Sequence, residues 1–181
     1  AAGLRCAETV SASEEQPDLP AGAGDNALAR LDRFRYANGA TPTAELRADM
    51  QNTMQSNCAV FRTGEILDEG HTKIHEVWKA SDDIRVTDRS LIWNTDLIET
   101  LEYDNLIAQA VVTMDSARNR TESRGAHARE DFPDRDDANW MKHPLSFCDT
   151  VAKTVTLEDR PVHTYTLSNQ IDYIEPKKRV Y

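Results

Sequence analysis

Four arginines and a histidine fall within twelve residues, Arg118-Asn119-Arg120-Thr121-Glu122-Ser123-Arg124-Gly125-Ala126-His127-Ala128-Arg129, of a chain whose formal net charge is −10. A guanidinium presents a planar fork of donors and stays charged at any ordinary pH, so clustered arginines suit a dicarboxylate or a phosphate. Gly125 would let backbone N–H groups approach the same anion. The competing expectation is internal: Asp131, Asp134, Asp136 and Asp137 follow at once and would pair with these arginines to pin a loop. Residue types and spacing leave both readings open.

Other constellations point to ordinary surface. His71 and His75 stand one helical turn apart with Glu76 beside them, yet a metalloprotease helix needs glutamate directly after its first histidine, where Thr72 stands. A solvated helix face is expected there, with no metal. Asp134, Asp136 and Asp137 lack the glycine and distal glutamate of a calcium loop. Gly22-Ala23-Gly24 lacks the third glycine of a phosphate cradle and follows no strand, so no nucleotide site is expected from this segment. Asn119-Arg120-Thr121 matches a glycosylation sequon, a match short enough to arise by chance. Cys6, Cys58 and Cys148 are odd in number with no CxxC spacing, which indicates neither a disulfide framework nor a zinc knuckle and favours a reducing compartment.

The chain that must position these residues has 181 of them, enough for one domain or one domain with appendages. Its 31 acidic against 21 basic side chains argue against a nucleic-acid binder, whose footprint is basic. Hydrophobic residues are 39% and the mean hydropathy is −0.63, which implies long solvated stretches or a surface completed by another domain. No apolar run approaches the roughly 18 residues of a membrane span. The opening Ala1-Ala2-Gly3-Leu4-Arg5, without an initiator methionine or a signal sequence, reads as a piece of something longer.

Periodicity predicts a mainly α fold: a three-helix bundle followed by a charged loop and a small β-containing C-terminal tail. A short helix to Val10, an acidic Pro- and Gly-containing linker over residues 11–25, and an amphipathic stretch stopping at a turn at Asn38-Gly39 precede the bundle. The first bundle helix is expected from the Thr41-Pro42 start signal to Thr63, closed by Gly64, on the spacing of Leu46, Met50, Met54, Cys58 and Phe61. A second carries Leu67, Gly70, Ile74, Val77, Trp78 and Ser81, with Gly70 allowing close approach of a neighbour. A third starts at an Asn94 cap and runs to Arg120, apolar on more than one face and so placed between the others or beneath another domain. Beyond it, residues 145–167 turn to β-branched and aromatic types, and Lys153 to Leu157 alternates with period two, giving one or two strands.

Glu122-Ser123-Arg124-Gly125-Ala126-His127-Ala128-Arg129-Glu130-Asp131-Phe132-Pro133-Asp134-Arg135-Asp136-Asp137, followed by Asn139-Trp140-Met141-Lys142-His143, closely resembles the C-terminal region of the succinate dehydrogenase/fumarate reductase flavoprotein family, nearest to succinate dehydrogenase. Met50 to Gln55 and Asn94 to Glu102 are similar to the helical domain of that subunit, and Val155-Thr156-Leu157, Arg160-Pro161-Val162 and Arg179-Val180-Tyr181 to its tail. One departure is Pro144, where the family usually has threonine after Lys-His.

The resemblance implies an enzyme, a succinate dehydrogenase (quinone), that moves a hydride from succinate to a covalently held FAD. An arginine takes the proton, and electrons pass through an iron–sulfur subunit to quinone at membrane anchor subunits. The flavin motif, the flavin-linking histidine and the proton-accepting arginine would lie upstream, so the segment holds no catalytic residue and is inactive alone. The same resemblance divides the chain into the end of the flavin-binding domain with its linker (1–40), the bundle (41–120), and the basic loop with its tail (121–181). Arg124, His127 and Arg129 are the residues expected to face the flavin-binding domain. The implied location is the cytoplasmic face of the inner membrane or its mitochondrial equivalent. A stand-alone helical interaction module is the alternative from another class.

Overall fold

The computed structural model describes residues 2–13 and 15–177, so the terminal Arg179-Val180-Tyr181 falls outside it. The chain divides into two compact units, Ala1–Arg33 and Phe34–Tyr181. In the first, α1 (Ala2–Ser11) has no buried residue. A turn closed by the Asp25 N–H on the Gly22 carbonyl at 2.9 Å leads into α2 (Asp25–Arg35).

The second unit is built on three helices, α3 (Thr43–Asn57), α4 (Gly64–Ala80) and α5 (Thr95–Asn119), each packed on the other two. Their shared core holds Leu46 and Met50 from α3, Leu67, Ile74 and Trp78 from α4, and Leu97, Tyr103, Ile107, Val111 and Met114 from α5. Each such side chain contributes about 1.5–3 kcal/mol on leaving water. α5 buries one face along most of its length, its buried residues recurring at helical spacing from Leu97 to Ala117, while Ile98 and Leu106 stay exposed. Gly70 is the point of closest approach: a Cβ there would come within 2.4 Å of Asn57 Cβ and 2.6 Å of Met114 Cε. A buried bond between the Thr43 and Thr100 hydroxyls, at 2.6 Å, adds a polar link between α3 and α5.

Three local expectations are corrected. Thr41-Pro42 does not begin a helix: it is extended as β1 (Thr41–Pro42), paired in parallel with β2 (Ile84–Arg85), and Pro42 precedes α3 with no side-chain cap. The first bundle helix stops at Asn57 rather than Thr63, because Cys58 leaves helical geometry at φ −136° and the Arg62 side chain takes the Ala59 and Cys58 carbonyls at 2.8 and 3.0 Å. Thr63 then caps α4 by accepting from the Ile66 N–H at 3.3 Å, so Gly64 opens the next helix instead of closing the last. Asn38-Gly39 marks close approach and not a free turn. The Gly39 N–H donates to the Ile84 carbonyl at 3.0 Å, and a Cβ would sit 2.1 Å from the Asp83 carbonyl oxygen.

The tail is one helical turn, α6 (Asp137–Trp140), and an antiparallel ribbon of β3 (Lys142–Asp149) and β4 (Thr154–Pro161), registered from Lys142 opposite Pro161 to Asp149 opposite Thr154. Pro144 lies inside β3, since in a two-stranded ribbon alternate residues turn their N–H to a free edge. Ser146 on β3 bonds Ser116 on α5 at 2.8 Å, which fixes the ribbon against the bundle.

Candidate functional site

The arginine loop starts where α5 ends, and its centre is a residue the sequence reading did not single out. Glu122 is fully buried between Arg120 and Arg124, two positions to either side. Its carboxylate accepts from Arg124 Nε and Nη2 at 2.8 and 3.0 Å, from the Asp136 N–H at 2.8 Å, and from Arg120. Burial pushes this carboxyl up, but the Arg124 fork, the Asp136 N–H and Arg120 outweigh it and hold the pKa below the usual range. Arg120 also donates to the Trp140 and Lys142 carbonyls at 3.2 and 2.6 Å, tying the loop to the start of the ribbon.

Arg124 shares its fork between Glu122 and Asp137 Oδ1, at 2.7 Å, with its side chain 27% exposed. Gly125 follows at φ +60°, in a tight turn closed by reciprocal Arg124–His127 backbone bonds of 2.9 and 3.1 Å. His127 has a fixed tautomer. Arg62 Nη1 stands 2.8 Å from Nδ1 and can only donate, so Nδ1 accepts and Nε2 carries the proton to the Arg120 carbonyl at 3.1 Å. Burial, and then the nearby guanidiniums of Arg62, Arg129 and Arg120, push the imidazole pKa down despite that carbonyl.

Arg129 is only 3% exposed. Its Nε and Nη2 grip both oxygens of Asp131 at 2.8 and 2.7 Å. Its Nη1 reaches the Arg118 and Arg120 carbonyls at 3.4 and 3.2 Å, at the C-terminal end of α5 where carbonyls lack helical partners. Asp131 in turn accepts from the Gly64 N–H at 2.8 Å, at the start of α4, and the Arg129 fork holds its carboxyl well below the carboxylate range. One ion pair thus joins the end of α5 to the beginning of α4. The expected pairing of loop arginines with downstream aspartates is present for Arg129 with Asp131 and Arg124 with Asp137, whereas Arg118 pairs with Asp68 and Arg120 with Glu122. Arg62, from the α3–α4 connection, had no local signal in the sequence.

His71 and His75 do not lie on an open helix face. Their side chains are 33% and 18% exposed because Asp115 of α5 meets both across the α4–α5 seam, at 3.3 and 3.2 Å. Burial pushes the His71 imidazole down against the pull of Asp115. A cavity of about 490 Å³ opens beside them, lined by Gly64, Asp68, His71, Asp115, Arg118 and Arg129 among others. The three cysteines are free.

The class of protein follows from comparison with known families: residues 47–181 match the family described as fumarate reductase flavoprotein C-term. Over 177 residues the chain is 50% identical to the mitochondrial succinate dehydrogenase [ubiquinone] flavoprotein subunit of Oryza sativa subsp. japonica, covering 98% of this chain and 28% of that protein. It is 49% identical over 178 residues to the succinate dehydrogenase flavoprotein subunit of Rickettsia felis, covering 98% of this chain and 30% of that one. Among solved structures, a mutant E. coli quinol fumarate reductase superposes with a TM-score of 0.76 at 33% identity, over 84% of this chain and 27% of that chain. The chain belongs to the succinate dehydrogenase/fumarate reductase flavoprotein family, and it corresponds to the C-terminal part of the flavoprotein subunit. It spans less than a third of the length of these relatives.

Proposed function

We propose that this chain is the C-terminal part of a succinate dehydrogenase flavoprotein subunit, which oxidises succinate to fumarate and delivers the electrons through an iron–sulfur subunit to quinone at membrane anchor subunits. The observation that carries the reading is 50% identity over 98% of the chain to a succinate dehydrogenase subunit. No helix among the described residues is long and apolar enough to cross a membrane, in keeping with a peripheral place on the inner-membrane face through partner subunits.

FAD would supply the hydride acceptor of the whole enzyme. The residues of this segment do not fit it as a complete site, since the forks of Arg118, Arg120, Arg124, Arg129 and Arg135 are each engaged by a carboxylate of the chain itself. That pairing supports a flavin held by the upstream domain, with this chain supplying an ion-paired loop against it. Arg129 holds the loop from behind, while the partly open Arg124, the Gly125 turn and His127 form the face turned to the flavin-bearing domain.

Two measurements test the reading. The purified 181-residue chain is expected to bind no flavin and oxidise no succinate; flavin absorbance surviving denaturation and gel filtration would overturn it. In the full-length subunit, Arg124→Lys keeps the charge and removes the fork. Lower covalent flavin content or succinate turnover with little change in melting temperature supports the flavin-facing role. A fall in stability with normal flavin chemistry makes Arg124 a loop staple only.

A further inference from the structure

We propose that His71, His75 and Asp115 form a binding site for one divalent transition-metal ion, zinc for preference, that clamps α4 to α5. The two imidazoles project from one face of α4, four residues apart, with ring centroids 4.4 Å from each other. Asp115 reaches them from α5. Both Nε2 atoms point at the same oxygen, Asp115 Oδ1, at 3.3 Å from His71 and 3.2 Å from His75. The three ligating atoms all lie within 4.8 Å of one another.

Those distances suit a shared cation better than two hydrogen bonds. Ligands held about 2.0–2.1 Å from zinc in a tetrahedron stand roughly 3.3–3.4 Å apart, so two edges of the tetrahedron already have their length. Charge-assisted N–H···O bonds are shorter, about 2.7–2.9 Å, and here His75 Nε2 straddles both Asp115 oxygens at 3.2 and 3.3 Å while His71 Nε2 faces one of them at 3.3 Å. Two nitrogen donors and one oxygen also select the ion. Calcium and magnesium take all-oxygen sets, whereas imidazole with carboxylate suits zinc and its transition-metal neighbours.

The surroundings are compatible with an ion. The side chains of His71, His75 and Asp115 are 33%, 18% and 11% exposed, which shields the site without sealing it. The His75 ring is held edge-on to Trp78 at 5.8 Å, limiting its rotation. His71 and Asp115 line the neighbouring cavity, which leaves the fourth position open to water. Arg118 stands on the same wall as a competing cation, but Asp68 engages it at 2.5 Å and supplies the opposing charge.

The experiment uses the full-length flavoprotein subunit, stripped of metal with a chelator and titrated with zinc against a chromophoric competitor while its melting temperature is followed. Wild type is expected to take up one more zinc per subunit than His75→Gln or Asp115→Asn, and zinc, but not magnesium, should raise its melting temperature. His71→Gln, at a partly exposed position where folding is safe, should weaken zinc binding by on the order of 10–100-fold and abolish the thermal shift. Zinc binding of equal affinity and stoichiometry in wild type and His71→Gln overturns the proposal, as does a wild type that takes up no zinc.

Discussion

At the scale of single residues, the loop is held by charge placed where water is excluded. Glu122 has lost all contact with solvent, and its two oxygens serve two guanidiniums and a backbone N–H. Removing one partner of such a cluster leaves the others buried without compensation, so Glu122→Gln should destabilise the fold by about 3 kcal/mol in urea denaturation. A cost below about 1 kcal/mol would show that the arginines find other partners. His127 gives a pH signature. Its pKa is depressed in the folded state, so between that value and the unfolded value of about 6.5 the native protein binds fewer protons than the unfolded chain. Stability is fully present above about pH 6.5 and falls as the pH drops through that window. His127→Gln retains an acceptor for Arg62 and a donor for the Arg120 carbonyl, and should flatten the decline between pH 7 and 5 without erasing it, because His71 is depressed as well. An unchanged slope in the variant would remove His127 from this account.

At the scale of elements, helix contacts and helix starts decide stability. Alanine is the better helix former at Gly70 by up to about 1 kcal/mol, yet its Cβ would overlap Asn57 Cβ at 2.4 Å. Met114 Cε, at 2.6 Å, is the end of a flexible side chain and can move, whereas Asn57 Cβ is fixed to the α3 backbone. Separation of α3 from α4 should win, making Gly70→Ala destabilising by about 2 kcal/mol. A neutral or stabilising result would mean that the helices slide freely. Asn94 caps α5 by accepting from the Leu97 N–H at 2.8 Å, and its amide donates to the Asp88 and Ser90 carbonyls at 2.7 and 2.9 Å. Asn94→Ala therefore loses a cap and two loop bonds. The expected cost is about 2 kcal/mol, read as a lower denaturation midpoint.

At the scale of the whole molecule, the surface carries apolar groups that the bundle does not bury. Leu91, Ile92 and Trp93 run consecutively at 65%, 78% and 94% exposure, and Val60 and Phe61 are 67% and 71% exposed. A soluble monomer seldom leaves such runs bare, so they are expected to be covered in the full-length subunit. The isolated 181-residue chain should associate in a concentration-dependent way in sedimentation experiments and bind a hydrophobic dye. A monodisperse monomer that binds no dye would count against this.

The bundle was legible in the sequence because helical periodicity is local: the spacing of Leu67, Gly70, Ile74 and Trp78, and the cap at Asn94 with Asp96 in the first turn, announce α4 and α5 from neighbours alone. The run Ser123-Arg124-Gly125 through Asp137 likewise carried the family and the pairing of arginines with later aspartates. Thr41-Pro42 has the chemistry of a helix start, but its extended conformation comes from pairing with Ile84 and Arg85, some forty residues on, which no local pattern announces. Glu122, Arg62 and Asp115 could not be assigned partners for the same reason. Charge and residue type are written in the sequence, but burial and the meeting of Arg62 with His127, or of Asp115 with His71 and His75, exist only once α3, α4 and α5 have packed. Local pattern determined the elements, and long-range packing decided which charged groups face one another out of water.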